Sequence, residues 1–256
     1  MSVMFSATAL GVFKNCPRCF WIDRKARIPR PRGIFPSLPG GMDLIIKEFM
    51  DTWRKFDRRP PQLIHQATTG MRLFPDQGKL NAYRDWKTGL RYNDPKGRFQ
   101  VIGALDDLLI KTVNGVVFVV PFDYKTKGSE APEGYIAKYY TDQTNLYGLL
   151  AAASGYKVAD EAIYSVWSPR KVDKVFVHES GERHFVDFET QVVSIKMDVK
   201  AALDLVERAA ACTESPTPPE PGMECEYCRY LMLRNSYKWP TGTPAPSPTS
   251  APAKPF

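Results

Sequence analysis

The sequence lacks a membrane span: no apolar run reaches the roughly 18 to 20 residues that a helix needs to cross a bilayer. No secretory signal is expected either. Residues 1–13 are mildly apolar, but no basic residue precedes the apolar stretch and no clear small-residue cleavage site follows it. A cytoplasmic protein is therefore expected. Cysteine is scarce and odd in number: Cys16, Cys19, Cys212, Cys225 and Cys228. Four of the five form two C-x-x-C pairs, which argues against a secreted disulfide framework and, in a reducing compartment, for metal coordination. No internal repeat is visible.

What is present suits one catalytic domain with small additions. The 256 residues are 43% hydrophobic, enough for one sizeable core. The net charge of +7 and the pI of about 9.1 favour polyanionic partners, nucleic acid above all. The distribution is sharper than the total. Lys14, Arg18, Arg24, Lys25, Arg27, Arg30 and Arg32 face the single acid Asp23 in that stretch. These side chains could track a nucleic-acid backbone or form an ordinary solvated surface.

Along the chain, Ser6 is a plausible N-cap for a helix over residues 7–27. Residues 28–41, rich in Pro, Arg and Gly, read as a loop. A helix over 42–56 carries Leu44, Ile45, Phe49, Trp53 and Phe56 at helical spacing. Residues 62–96 are ambiguous. Residues 99–112 and 116–125 read as strands joined by the Asn114-Gly115 turn. Residues 134–154 read as a helix, 162–167 as a strand, 174–179 and 183–188 as a hairpin, and 190–211 as a long helix. The expected organisation is a basic N-terminal region with the first cysteine pair (1–41), a core (42–211), a cysteine knuckle (212–238) and a disordered Pro/Ser/Thr-rich tail (239–256). The fold class is α/β, a small mixed sheet flanked by helices.

The hairpin carries the chemistry. With a two-residue turn at 114–115, facing residues have numbers that sum to 229, so Asp106 opposes Asp123. Two carboxylates so placed repel each other unless a cation lies between them, and Mg2+ or Mn2+ suits oxygen ligands. Lys125 shares the face of Asp123, where its ammonium would lie near both metal and scissile phosphate. Asp107 falls on the opposite face. The bland alternative is a surface ion pair between Asp123 and Lys125. Gln143 and Tyr147, four apart, share one face of the next helix and could offer neutral donors to a phosphate; they could equally be the edge of an amphipathic helix.

Gly103-Ala104-Leu105-Asp106, then Asp123-Tyr124-Lys125, then Gln143-x-x-x-Tyr147 resembles the PD-(D/E)XK nuclease superfamily, and its RecB-like branch most closely. The N-terminal stretch from Phe5 through Cys16-Pro17-Arg18-Cys19-Phe20 is similar to that of the iron-sulfur members. The resemblance implies a restriction-endonuclease-like core. It also implies a metal site at Asp106 and Asp123, a catalytic Lys125, substrate-positioning Gln143 and Tyr147, and a DNA substrate. A helicase or other repair protein is an implied partner. Where the family often has a histidine ligand on the preceding helix, this chain has Asp43, with Glu48 as a second candidate; His65 reads as a loop histidine. That departure keeps open a non-catalytic nucleic-acid-binding protein of the same fold. For Cys16, Cys19, Cys225 and Cys228 the resemblance implies a [4Fe-4S] cluster joining the termini. The two-and-two split departs from the usual one-and-three, which makes Zn2+ the alternative.

Overall fold

The computed structural model describes residues 3–31, 33, 37–170 and 186–237. The expected hairpin at 174–188 and the Pro/Ser/Thr-rich tail fall, in whole or nearly so, outside these residues. No helix among them is long and apolar enough to cross a membrane.

The chain opens with a short strand, β1 (Val3–Phe5), and then α1 (Ala7–Asn15), capped by Ser6, whose side chain accepts from Ala9 N–H. The single helix expected over 7–27 is broken at Cys16, which is extended at φ −159°, ψ 103°. A proline disfavours the helical conformation in the residue before it, and Pro17 starts α2 (Pro17–Trp21) at a position where its missing N–H costs nothing. A π-helical turn, Ile22–Ala26, follows. Next, α3 (Ser37–Lys55) begins well ahead of the expected start, absorbing Gly40 and Gly41. The ambiguous stretch resolves into β2 (Met71–Leu73), α4 (Gln77–Arg84) and β3 (Leu90–Asn93).

The single strand expected at 99–112 is two: β4 (Phe99–Gly103) and β5 (Asp107–Val113). They belong to different sheets, so the residues between them are a crossing point rather than strand interior. From there β6 (Val116–Thr126), α5 (Tyr135–Ala153) and β7 (Glu161–Pro169) follow the expected order. The long helix expected at 190–211 is corrected to a strand and a helix, β8 (Phe188–Lys196) and α6 (Val199–Glu214). Thr190, Val192, Val193 and Ile195 supply the β-branched side chains, and Asp198 caps α6 through Ala201 N–H. The chain then reaches α7 (Glu226–Ser236).

Two sheets result. A three-stranded sheet has order β1-β4-β3, and a five-stranded mixed sheet has order β2-β5-β6-β7-β8, with β6 and β7 parallel. The β5–β6 register runs from Val113↔Val116 to Asp107↔Phe122, every pair summing to 229 as the turn arithmetic requires. Asn114 (φ 50°) and Gly115 (φ 75°) both occupy the left-handed region that such a turn demands. Strand β6 is covered on both faces. On one, Val120, Phe122 and Tyr124 pack with Ile46 and Met50 of α3. On the other, Val119 joins Leu146, Leu149 and Leu150 of α5 and Leu205 and Val206 of α6. Odd-numbered residues of β6 thus face α5, and this parity aims Asp123 and Lys125 at that helix.

Candidate active site

The ends of β5 and β6 bring Asp106 and Asp123 together. Asp106 sits one residue ahead of β5. Its Oδ2 accepts from Tyr124 N–H at 3.2 Å, and its Oδ1 pairs with Lys47 Nζ at 2.9 Å. Asp123 is 2% exposed and forms an ion pair with Lys125. Burial, and then the Asp106 carboxylate beside it, push the Asp123 carboxyl up to about 8. Burial would raise Asp106 too, but the ammoniums of Lys47 and Lys125 outweigh it and hold Asp106 ionised. The pair thus resists carrying two negative charges side by side.

This arrangement fits a hard divalent cation. Asp106 and Asp123 form the acidic pair, beside the ammoniums of Lys47 and Lys125, and Asp43 connects to Asp106 through Lys47. Asp123 Oδ2 is buried and faces the Lys125 ammonium, while Oδ1 lies toward the Gln143 amide. A cation bound between Asp106 and Asp123 would relieve the repulsion that burial magnifies.

Helix α5 supplies the next layer. Gln143 Nε2 lies 3.4 Å from Asp123 Oδ1 and also donates to the Tyr147 hydroxyl oxygen one turn on. Tyr147 is buried, and burial followed by the nearby Asp123 charge raises its phenol well above the usual range, so it stays neutral. The Lys125 ammonium sits over the Tyr140 ring at 4.8 Å and the Tyr164 ring at 5.8 Å. Burial would lower the Lys125 pKa, but Asp123 and Asp106 reverse that and raise it. All five residues expected from the hairpin and helix are therefore neighbours in space.

Asp43 is reached through an intermediary that sequence reasoning missed. Lys47 Nζ bonds Asp43 Oδ2 at 2.7 Å while holding Asp106. Its i+4 spacing from Asp43 on α3 was the available signal. Glu48 is exposed and lines a groove with Asp51, Lys55 and Gln77. His65 is exposed, its Nδ1 accepting from Ala67 N–H.

Beneath the carboxylates lies a second, buried ion network. Asp107 is fully buried on the α3 side, where both its oxygens accept from Arg54 Nη2 at 2.5 Å. Arg84 Nη2 approaches at 3.4 Å, and the Tyr124 hydroxyl donates to Asp107 as well. Arg84 Nε also donates to the Asp106 carbonyl at 2.7 Å, and Asp51 joins the two arginines. Hence the two backbone segments that carry the acidic pair are each fastened from below. The partners of Asp107 lie 17 to 53 positions from it, so no local pattern announces the network.

The four cysteines of the two C-x-x-C pairs also meet: all four Sγ atoms lie within 4.8 Å of one another, joining the N-terminal helices to α7. Cys16 is pulled down to about 6, because N–H groups of Cys19 and Gly222 outweigh the effect of burial. Cys212 stands apart, packed at the edge of the main core. Of the basic N-terminal residues, Arg18 bonds Pro219 O at 2.8 Å, Arg24 bonds Met4 O at 3.2 Å, and Arg30 bonds Asn15 Oδ1 at 2.8 Å. Those three are engaged in holding the fold.

A family model of the PD-(D/E)XK nuclease superfamily matches residues 36–233 of the chain. No curated protein matches it.

Proposed function

Because the chain belongs to the PD-(D/E)XK nuclease superfamily, we propose that it is a Mg2+- or Mn2+-dependent nuclease that hydrolyses DNA phosphodiester bonds. The convergence of Asp106, Asp123, Lys125, Gln143 and Tyr147 at one end of the sheet carries this reading. Asp106 and Asp123 would hold the ion, with Asp43 as a third carboxylate. When bound, such an ion supplies a more acidic water and neutralises charge on the scissile phosphate.

The remaining work falls to the chain's own side chains. Lys125, paired with Asp123 and held over two tyrosine rings, is restrained where it can orient the attacking water and donate to a non-bridging phosphate oxygen. The Gln143 amide and the neutral Tyr147 phenol add donors that carry no charge of their own. A groove of about 560 Å3 runs past Gln143 and Tyr147, flanked by Trp86 and Tyr139. Both rings are largely exposed, which suits stacking against bases of an unpaired strand.

The test is cleavage of end-labelled single- and double-stranded DNA in Mn2+, with an RNA arm to examine an RNA-processing role. Wild type should cut DNA, and Asp123→Ala or Lys125→Ala should slow cutting by at least about 10^2-fold. Full activity in both variants would sink the reading. One observation favours a second reading, nucleic-acid binding without cleavage: the Lys47 ammonium already bridges Asp43 and Asp106. DNA binding with no cleavage across several divalent metals would support it, and Mn2+-dependent cleavage would exclude it.

A further inference from the structure

We infer that the four-cysteine centre holds a single tetrahedral Zn2+ ion, not the [4Fe-4S] cluster that the resemblance implies. Cys16 and Cys228 have their Sγ atoms 3.7 Å apart, and Cys19 Sγ is 3.6 Å from those of both Cys225 and Cys228. Four sulfurs about 2.3 Å from one ion stand roughly 3.8 Å apart at the tetrahedral angle. The observed spacing is that of ligands to one ion. It is far too long for a disulfide, whose sulfurs are about 2.05 Å apart. In a four-iron cluster each cysteine binds a different iron, so the whole inorganic core stands between the sulfurs. That core would hold them farther apart than the 4.8 Å within which all four lie here.

The surrounding backbone opposes a wider cage. A Cβ added to Gly222 would lie 2.1 Å from the Asn15 carbonyl oxygen and 3.1 Å from Cys16 Cα. The segment leading to Cys225 is therefore already in direct backbone contact with the N-terminal pair, and only glycine permits it. Gly222 N–H donates to Cys16 Sγ at 3.2 Å, and Cys19 N–H reaches the same sulfur at 3.5 Å. Arg30 Nη2 donates to Cys225 Sγ at 3.3 Å and lies over the Tyr227 ring. Moving the sulfurs apart to admit a cluster would break these contacts.

The same donors suit the charge of the centre. Four thiolates and one Zn2+ carry −2, and the two N–H groups and the Arg30 guanidinium are placed to offset it. Loading is an acid–base exchange: up to four thiol protons leave as one Zn2+ binds, and no electron is transferred. With all four positions filled by sulfur, the ion has no open site for a substrate and serves to fasten α1 and α2 to α7.

The test uses the full chain, purified in parallel under air and anaerobically from cells supplied with both iron and zinc. One zinc per chain, no acid-labile sulfide and no brown colour are expected. Metal-free protein should bind one Co2+ per chain with the intense visible bands of a tetrahedral thiolate site, and Zn2+ should bleach them. Iron and labile sulfide in the anaerobic sample at cluster stoichiometry would overturn the assignment, as would a single iron without sulfide. Loss of Cys225 and Cys228 endangers the fold, so Cys212→Ser provides a second measure. It should retain full zinc, and loss of zinc there would refute the four-ligand set.

Discussion

Replacing Arg54 by Met leaves Asp107 as a buried carboxylate stripped of its principal partner. Asp107 is fully buried and the Arg54 side chain is 3% exposed, so water replaces little of what is lost. Arg54 donates twice to Asp107, once to the Phe74 carbonyl at 2.7 Å and once to Gln77 Oε1 at 3.1 Å. Removing one member of a buried ion pair typically costs about 3–5 kcal/mol. Arg84 and Tyr124 remain beside Asp107, which places the expected loss near the lower end, about 3 kcal/mol. The pH dependence adds a second signature. Burial already raises the Asp107 pKa against the pull of Arg54 and Arg84, and Arg54→Met raises it further. A raised carboxyl lowers stability above its unfolded pKa, and the loss shrinks as pH falls toward about 4. Urea unfolding monitored by circular dichroism should therefore show a larger deficit at pH 8 than at pH 5.5. In a double-mutant cycle, Arg54→Met with Asp107→Asn should cost less than the sum of the two single changes by at least about 1 kcal/mol. The exposed pair Arg208–Asp204 serves as a control, and Arg208→Ala should stay within about 0.5 kcal/mol of wild type. A loss below about 1 kcal/mol for Arg54→Met, with an unchanged denaturant slope, would refute a native-state role for this pair.

Three further outcomes are expected. Lys125→Ala should lower the turnover number on DNA by about 10^2- to 10^4-fold, while isothermal titration still detects Mn2+ binding; near-normal turnover would remove Lys125 from the reaction. With metal chelated, stability should fall as pH rises from about 4 to 8, because Asp123 keeps its proton in the native state up to about 8 and the unfolded chain does not. Saturating Mn2+ should flatten that slope, and identical slopes with and without metal would count against Asp123 as a ligand. Gly115→Ala should destabilise by about 1 kcal/mol, because φ at that position is +75° and an added Cβ is strained there even though it meets no neighbour; an unchanged thermal midpoint would contradict the turn assignment.

Local pattern was enough where the physics is local. An Asn-Gly pair between two β-branched runs sets a two-residue turn, and the turn sets the register that brings Asp106 to Asp123. Strand parity then places Lys125 beside Asp123 and Asp107 behind it. A spacing of four on α5 puts Gln143 above Tyr147. Reading failed where two elements of different kind are joined without strong punctuation. Residues 99–112 carry one continuous apolar signal, yet pairing with β1 and β3 on one side and β2 and β6 on the other splits them between two sheets. At 190–211, the β-branched alternation of β8 runs into the helical period of α6, and only the Asp198 cap marks the join.

The hairpin, its acidic pair, the lysine two residues on and the two cysteine pairs are legible in local pattern, because turn geometry and side-chain period operate over a few residues. Long-range packing set what surrounds them. It placed Lys47 between Asp43 and Asp106, put Arg54 and Arg84 under Asp107, and set the cysteine sulfurs at the spacing of one ion. Those contacts join segments tens to hundreds of residues apart. Their distances follow from how helices and sheets pack, and that packing is a property of the whole core rather than of any window of sequence.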